Sequence, residues 1–265
     1  MRAWIGGVAV LGPGLPGWVA SLPMLAGTAP WTAAEVVVPP PALLAATERR
    51  RTSLVVRLAL AAAAEATARE DGAALDTIFA SSNGDGVVLG AILAALAEPE
   101  ATISPTQFHN SVHNAAAGYW GIGMASTRPS VSIGGHDDTV ATGLLQAVAT
   151  VATRGRGLLF CAYDAPLPAP LYGARRTTVP FAAALVLRPE PSETARAALT
   201  LRYVAAPAAA PITTPEPADA LDGLAADNPA ARLLPLLRAL ARQRPASLRL
   251  PLLDDAHLVL DLVPC

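Results

Sequence analysis

The residues best placed to do chemistry are Gly134-Gly135-His136-Asp137-Asp138, set between a short apolar run, Ser130–Ile133, and a helix-forming stretch, Asp138–Thr153. A sharp strand-to-helix turn presents one side chain above a helix N-terminus, where the helix dipole favours a thiolate or an oxyanion. Here the turn offers carboxylates instead of Ser or Cys. Asp138 reads as the helix N-cap, accepting from free backbone N–H groups, a contact worth about 0.5–2 kcal/mol over Ala. His136, Asp137 and His113 are residue types that transfer protons when held within hydrogen-bond reach.

Three other patterns have ordinary readings. His109 and His113 are four apart, so on a helix they would share a face as in a zinc-binding His-Glu-x-x-His segment. Asn110 stands where the general-base Glu would be and no third ligand is apparent, so packed polar histidines are expected and no metal ion. Gly12-Pro13-Gly14-Leu15-Pro16-Gly17 has the spacing of a dinucleotide fingerprint. Pro13 and Pro16 remove two N–H donors and Pro23 spoils the helix that should follow, so a strand-closing turn is expected and no cofactor. Ser81–Gly86 could cradle an anion with its amides, but such a sequence is more simply a turn.

These segments need elements to hold them. Trp4–Leu11, Asp76–Ser82, Ser130–Ile133, Gly157–Ala162 and Pro180–Leu187 read as strands. Leu43–Glu70, Val87–Glu98, His113–Met124 and Asp138–Thr153 read as helices, with Ser104–Pro105 opening a loop. The alternation implies an α/β sheet with helices on its faces. Pro39–Pro41 and Pro207–Pro217 read as linkers, Leu233–Arg242 as a helix with Pro235 in its first turn, and Leu248–Leu250 and His257–Val263 as strands.

The chain has 265 residues, 52% apolar and 15% charged, with net charge −2. A sizeable core is possible, and bulk positive charge for nucleic acid is absent. All 19 basic residues are Arg, which excludes Schiff-base lysines and the Lys of phosphate loops. Cys161 and Cys265 lie too far apart for a Cys-x-x-Cys motif, and a reducing, cytoplasmic setting is expected. Gly and Pro interrupt the apolar N-terminus, which reads as a strand and not as a signal peptide. No uninterrupted apolar run reaches roughly 18 residues, so no membrane span is expected.

Two segments together resemble a known family. Pro105-Thr106-Gln107-Phe108-His109-Asn110-Ser111-Val112-His113-Asn114-Ala115-Ala116-Ala117-Gly118 is similar to the segment that opens a helix in β-ketoacyl-ACP synthases. Pro129-Ser130-Val131-Ser132-Ile133-Gly134-Gly135-His136-Asp137 resembles the synthase segment that ends on the acyl-accepting Cys. Read without gaps, that Cys falls on Asp137. Gly7–Pro13 resembles the family's first strand and turn, Arg49-Arg50-Arg51 precedes a long Ala-rich helix, and Phe181–Leu187 resembles the strand after the elbow helix. The ordered set spans about residues 1–188 and is most similar to the ketosynthase-like N-terminal domain group called chain length factors.

The resemblance implies a thiolase-like α/β fold truncated to roughly its N-terminal half, residues 1–188, with a short C-terminal α/β extension, residues 189–265, that completes or caps it. It implies an active ketosynthase as partner in a heterodimer, with an acyl carrier protein serving the pair. The family's strand beside the helix after Asn114 pairs across a dimer axis, so Phe108, Ser111, Val112, His113 and Asn114 would wall the acyl tunnel. A carboxylate is a poor acyl acceptor, because a mixed anhydride is labile. The later part of the chain offers only His257, where the synthases use two histidines, so independent Claisen condensation is not expected. The alternatives are an acyl-thioester hydrolase, decarboxylase or acyltransferase using His136 and Asp137, and a homodimeric acyl or carrier-protein scaffold. Arg175-Arg176 and Arg49–Arg51 could steer an acidic carrier protein, although solvated faces are the simpler reading.

Overall fold

The computed structural model describes residues 1–99, 102–206, 220–253 and 255–265. Its elements run β1 (Arg2–Leu11), α1 (Trp18–Ala26), α2 (Ala46–Arg49), α3 (Leu54–Ala66), β2 (Asp76–Ala80), α4 (Gly86–Leu96), α5 (Pro105–Ser111), α6 (Ala115–Met124) and β3 (Ser130–Ile133). They continue as α7 (Thr139–Arg154), β4 (Leu158–Asp164), α8 (Leu171–Ala174), β5 (Phe181–Arg188), β6 (Ala197–Val204), α9 (Leu224–Asp227), α10 (Leu234–Arg242), β7 (Ala246–Leu252) and β8 (Ala256–Pro264).

The strands form one sheet in the order β3-β2-β4-β5-β1-β6-β8-β7. β2 runs parallel to β3 and β4, while β4–β5, β5–β1, β1–β6, β6–β8 and β8–β7 are antiparallel. Strand side chains alternate between two cores, as the two-residue period demands. Leu158, Phe160 and Ala162 of β4 face α7 and the Pro229–Leu233 turn, in the core that α1 and α10 also line. Leu159, Cys161 and Tyr163 face α3 and α6. Both faces of the central strands are therefore buried, which is why β4 and β5 read as continuous apolar runs.

Close approach of α3 to β1 depends on Gly7. A Cβ there would lie 1.8 Å from the Ala66 carbonyl oxygen, so the end of α3 can cross the strand only over a residue without one.

Several expectations are corrected. The helix expected over Leu43–Glu70 is broken: α2 stops at Arg49, and Ser53 caps α3 by accepting from Val56 N–H. Ser104–Pro105 opens a helix, α5, with a Ser104/Gln107 capping box and Pro105 in its first turn. The helix expected over His113–Met124 starts at Ala115. α1 forms despite Pro23, which withholds a donor from the carbonyl four residues back, on solvent-exposed Val19. β6 was not anticipated; it joins β1, and β8 and β7 continue the sheet beyond it. The Pro207–Pro217 linker lies outside the described residues. Among the described residues no helix is long and apolar enough to cross a membrane.

Candidate functional site

The elbow follows β3 at the sheet edge. Gly134 packs tightly: a Cβ there would lie 3.1 Å from Ser81 O and 3.4 Å from His113 Nε2. His136 adopts φ 52°, a left-handed conformation uncommon outside Gly. Buried Thr139 knits the turn, its Oγ1 accepting from Gly135 N–H at 2.9 Å and donating to His136 O at 2.7 Å. Asp138 occupies the N-cap position, but its carboxylate turns to Leu253 N–H at 2.9 Å and to Arg232 at 3.7 Å instead of α7's first amides. The expected cap is thus replaced by a tie to the β7–β8 turn. Thr139's hydroxyl, which the elbow uses, leaves Asp138 free to reach outward.

Asp137 is held by two arginines. Arg175 Nη2 donates at 2.5 Å to one carboxylate oxygen and Arg232 Nη2 lies 3.1 Å from the other. Arg175 also donates from Nε to Asn83 Oδ1 at 3.1 Å, and its Nη1 sits 2.6 Å from His136 Nε2. A guanidinium keeps its protons, so the His136 nitrogen facing it is an acceptor. Partial burial pushes the Asp137 carboxyl up. The Arg175 hydrogen bond and the charges of Arg232 and Arg175 outweigh burial and hold it below the usual carboxylate range. Asp137 is therefore an ionised carboxylate paired through both oxygens, ill suited to donating or collecting a proton near neutral pH.

Beneath the elbow lies Asp164, fully buried at the end of β4. Its carboxylate accepts from Ser81 Oγ at 2.8 Å, Asn83 N–H at 3.0 Å and Ser82 N–H at 3.2 Å. Burial raises its pKa to about 6, against the pull of those hydrogen bonds and of Arg175. The amides of the Ser81–Gly86 loop thus already serve the chain's own carboxylate, and the loop is a turn. Asn83 Nδ2 donates to Thr177 Oγ1, and His113 Nε2 meets Ser81 O at 2.9 Å.

Of the alternative acid–base group, His136 Nδ1 and Asp137 Oδ1 lie 3.8 Å apart and both face Arg175, while His113 bonds Ser81 O instead. His109 and His113 also part company, because α5 ends at Ser111. His109 packs edge-on against Tyr119, with ring centroids 5.4 Å apart. Phe108 is 65% exposed and Val112 45%. Ser111 Oγ donates to Phe108 O, and Asn114 opens onto a groove of about 420 Å³ between α6 and the β3 edge.

Residues 26–231 match the family model described as β-ketoacyl synthase, N-terminal domain. The chain belongs to that family. No curated protein matches it. Among solved structures, this β-ketoacyl synthase family member is similar to a chain of the ketosynthase ApeO in complex with its chain length factor ApeC from Xenorhabdus doucetiae. That match has 21% identity and a TM-score of 0.73 over 98% of this chain and 99% of the other. The ishigamide ketosynthase/chain length factor matches at 15% identity and TM-score 0.73 over 100% and 99%. A chain of the AntDE:AntF complex, an acyl-carrier protein with its ketosynthase bound to the hexaketide, matches at 11% and 0.72 over 100% and 99%. At such identities the likeness establishes the fold, which is thiolase-like.

Sequence reading of this family member missed Arg175 and Arg232 as partners of Asp137, and Asp164 as the anchor of the loop. Arg175 and Arg176, adjacent in sequence, do not form one surface patch: Arg175 is only 15% exposed and Arg176 pairs with Asp227 at 3.3 Å. Arg49 donates to Leu44 O, and Arg51 pairs with Glu48. Arg232 gives no signal in the sequence beyond its place just before α10, an amphipathic helix with Pro235 in its first turn. His257 sits buried in β8 with Nδ1 2.8 Å from Ala206 O.

Proposed function

We propose that this chain is a non-catalytic ketosynthase-like subunit, a chain length factor, which pairs with an active β-ketoacyl-ACP synthase in the cytoplasm and helps set the length of an acyl or polyene chain carried by an acyl carrier protein. The observation that carries this is the fate of the elbow. By the resemblance, read without gaps, Asp137 stands where the family has its acyl-accepting Cys, and that carboxylate is held between Arg175 and Arg232. A carboxylate paired with two arginines is a poor acyl acceptor, since the mixed anhydride would be labile, and a weak base. The elbow is also close to self-neutral, with Arg175 and Arg232 facing Asp137 and Asp138, so it does not act as an anion trap.

An exposed apolar surface supports the partner. α4, Gly-Val-Val-Leu-Gly-Ala-Ile-Leu-Ala-Ala-Leu, carries no charge, yet Val87, Leu89, Leu93 and Leu96 face solvent, with Phe108 and Val112 also exposed on the neighbouring α5 segment. Such a surface on a folded chain marks an interaction site. β3 is an open sheet edge, with hydrogen-bonding groups available to another strand. The solved structures that share this fold include ketosynthase–chain length factor complexes.

Native mass spectrometry of the protein alone and with the ketosynthase encoded beside it tests the reading. A one-to-one complex that forms at the expense of self-association is expected. A stable homodimer that ignores the ketosynthase would favour the homodimeric scaffold. A Phe108→Ala or Val112→Ala subunit in the complex should lengthen the product, because a packed wall has no slack for added methylenes.

A further inference from the structure

Helix α5 carries Phe108, but among the described residues its own buried contribution is a single side chain, and that side chain is polar: Asn110, 4% exposed. Asn110 makes two hydrogen bonds in opposite directions. Its Nδ2 donates to the Arg51 carbonyl, in the break between α2 and α3, at 2.8 Å. Its Oδ1 accepts from the Tyr119 hydroxyl of α6 at 3.2 Å. Tyr119 is itself buried, and the ring of His109 abuts it edge-on. Among the described residues the other side-chain hydrogen bonds of α5 are local, the capping box at Ser104 and the Ser111 hydroxyl on Phe108 O, and its remaining packing is against α4 as well as α6.

An apolar contact tolerates sliding, whereas a hydrogen-bonded amide with both ends engaged fixes distance and direction. Asn110 thereby sets the height of α5 above α3 and α6, and with it the place of Phe108 and Val112 on either side. We propose that Asn110, acting through Tyr119 and the Arg51 carbonyl, is the positioning residue for the chain-length wall. This rests on the chain-length-factor reading and adds that length depends on a buried polar anchor one step behind the wall. Asn110 touches no substrate in this account; it acts through Phe108 and Val112.

The test uses the complex of the full chain with the ketosynthase encoded beside it, in four versions: Asn110→Ala, Tyr119→Phe, the double variant, and Phe108→Ala as the control on the reading. Two readouts are taken, hydrogen–deuterium exchange of residues 105–112 and the product-length distribution at matched condensation rate. Loss of one buried hydrogen bond should raise exchange in α5 about five- to ten-fold, with α3 and α7 unchanged. Asn110→Ala and Tyr119→Phe should broaden product length in the same sense as Phe108→Ala, and the double variant should add little to Asn110→Ala alone, because the two residues share one bond. If Phe108→Ala shifts length while the Asn110 and Tyr119 variants leave both readouts unmoved, the anchor is overturned and the reading stands. If Phe108→Ala leaves length unmoved, the reading fails. In that case faster exchange in Asn110→Ala would leave Asn110 as a helix anchor only, and its role in length would be overturned as well.

Discussion

Asp137 and Arg175 meet at 2.5 Å, and Arg232 closes on the carboxylate's second oxygen at 3.1 Å, so the elbow is bound to the loop before β5 and to the segment before α10 at once. Arg175 is nearly buried, whereas Asp137 is 47% exposed. Asp137→Ala would leave a largely buried cation with Asn83 and His136 as its hydrogen-bond partners and Asp164 as the nearby buried carboxylate. After allowance for solvent screening at the half-exposed carboxylate, the expected loss is on the order of 1–2 kcal/mol. Its sign with pH follows from a folded pKa below the unfolded one: the stabilisation is present above the unfolded value and is lost as pH falls through the folded value. Urea unfolding of wild type and Asp137→Ala at pH 7 and at a pH well below the unfolded carboxylate value should show the gap closing in acid. A gap that persists at low pH would mean that the charge is not what matters.

Asp164 carries the opposite sign. Its folded pKa, about 6, lies above the unfolded carboxylate value, so the native state binds the extra proton between roughly pH 4 and 6. This group's contribution therefore improves as pH falls from 7 toward 5 and levels off below the unfolded pKa. Asp164→Asn removes the titration and should flatten the slope of stability against pH in that window. The measurement is the urea midpoint at pH 4.5, 5.5 and 7. An unchanged slope in the variant would place the titration elsewhere.

The central strands were legible because burial on both faces demands continuous apolar runs, and Leu158–Ala162 and Phe181–Leu187 are such runs. Where the reading failed, a local signal was present but outvoted. Ser53 before Leu54 and Ser104-Pro105-Thr106-Gln107 both mark helix starts, but the Ala-rich composition blurred the first into one long helix and the Pro suggested a loop at the second. β6 alternates Leu199 and Leu201 with Thr200 and Arg202, a strand pattern hidden among small residues and prolines. The elbow was visible as a motif. Its partners were not, because Asp137, Arg175, Arg232 and Asn83 converge from four segments with no spacing in common.

Gly7 gives a sharper test of the packing. With a Cβ 1.8 Å from a backbone oxygen of α3, Gly7→Ala cannot be absorbed by a side-chain rotation. Either α3 or β1 must move, and both are central to one core, so the variant should lose about 3 kcal/mol or more, at the upper end of overpacking costs. Alanine at Gly118, which faces open space, is the matched control and should be neutral or slightly stabilising, since it lies within α6. Thermal unfolding of the two variants side by side decides the point.

The apolar face of α4 separates folding from assembly. Leu89, Leu93 and Leu96 follow one another at helical spacing and remain exposed. Glu at such a position keeps a good helix former and replaces a half-exposed side chain, so Leu93→Glu should cost the isolated chain no more than about 1 kcal/mol. In a complex that covers this face, the same carboxylate would be buried without a partner, and association should weaken by about ten-fold or more. Thr153→Glu, on the exposed end of α7, controls for charge alone. Weakened pairing with the ketosynthase for Leu93→Glu but not for Thr153→Glu would place α4 in the interface. Equal pairing for both would leave the face without that role and shift attention to the open edge of β3, whose hydrogen-bonding groups a second strand could take without touching α4.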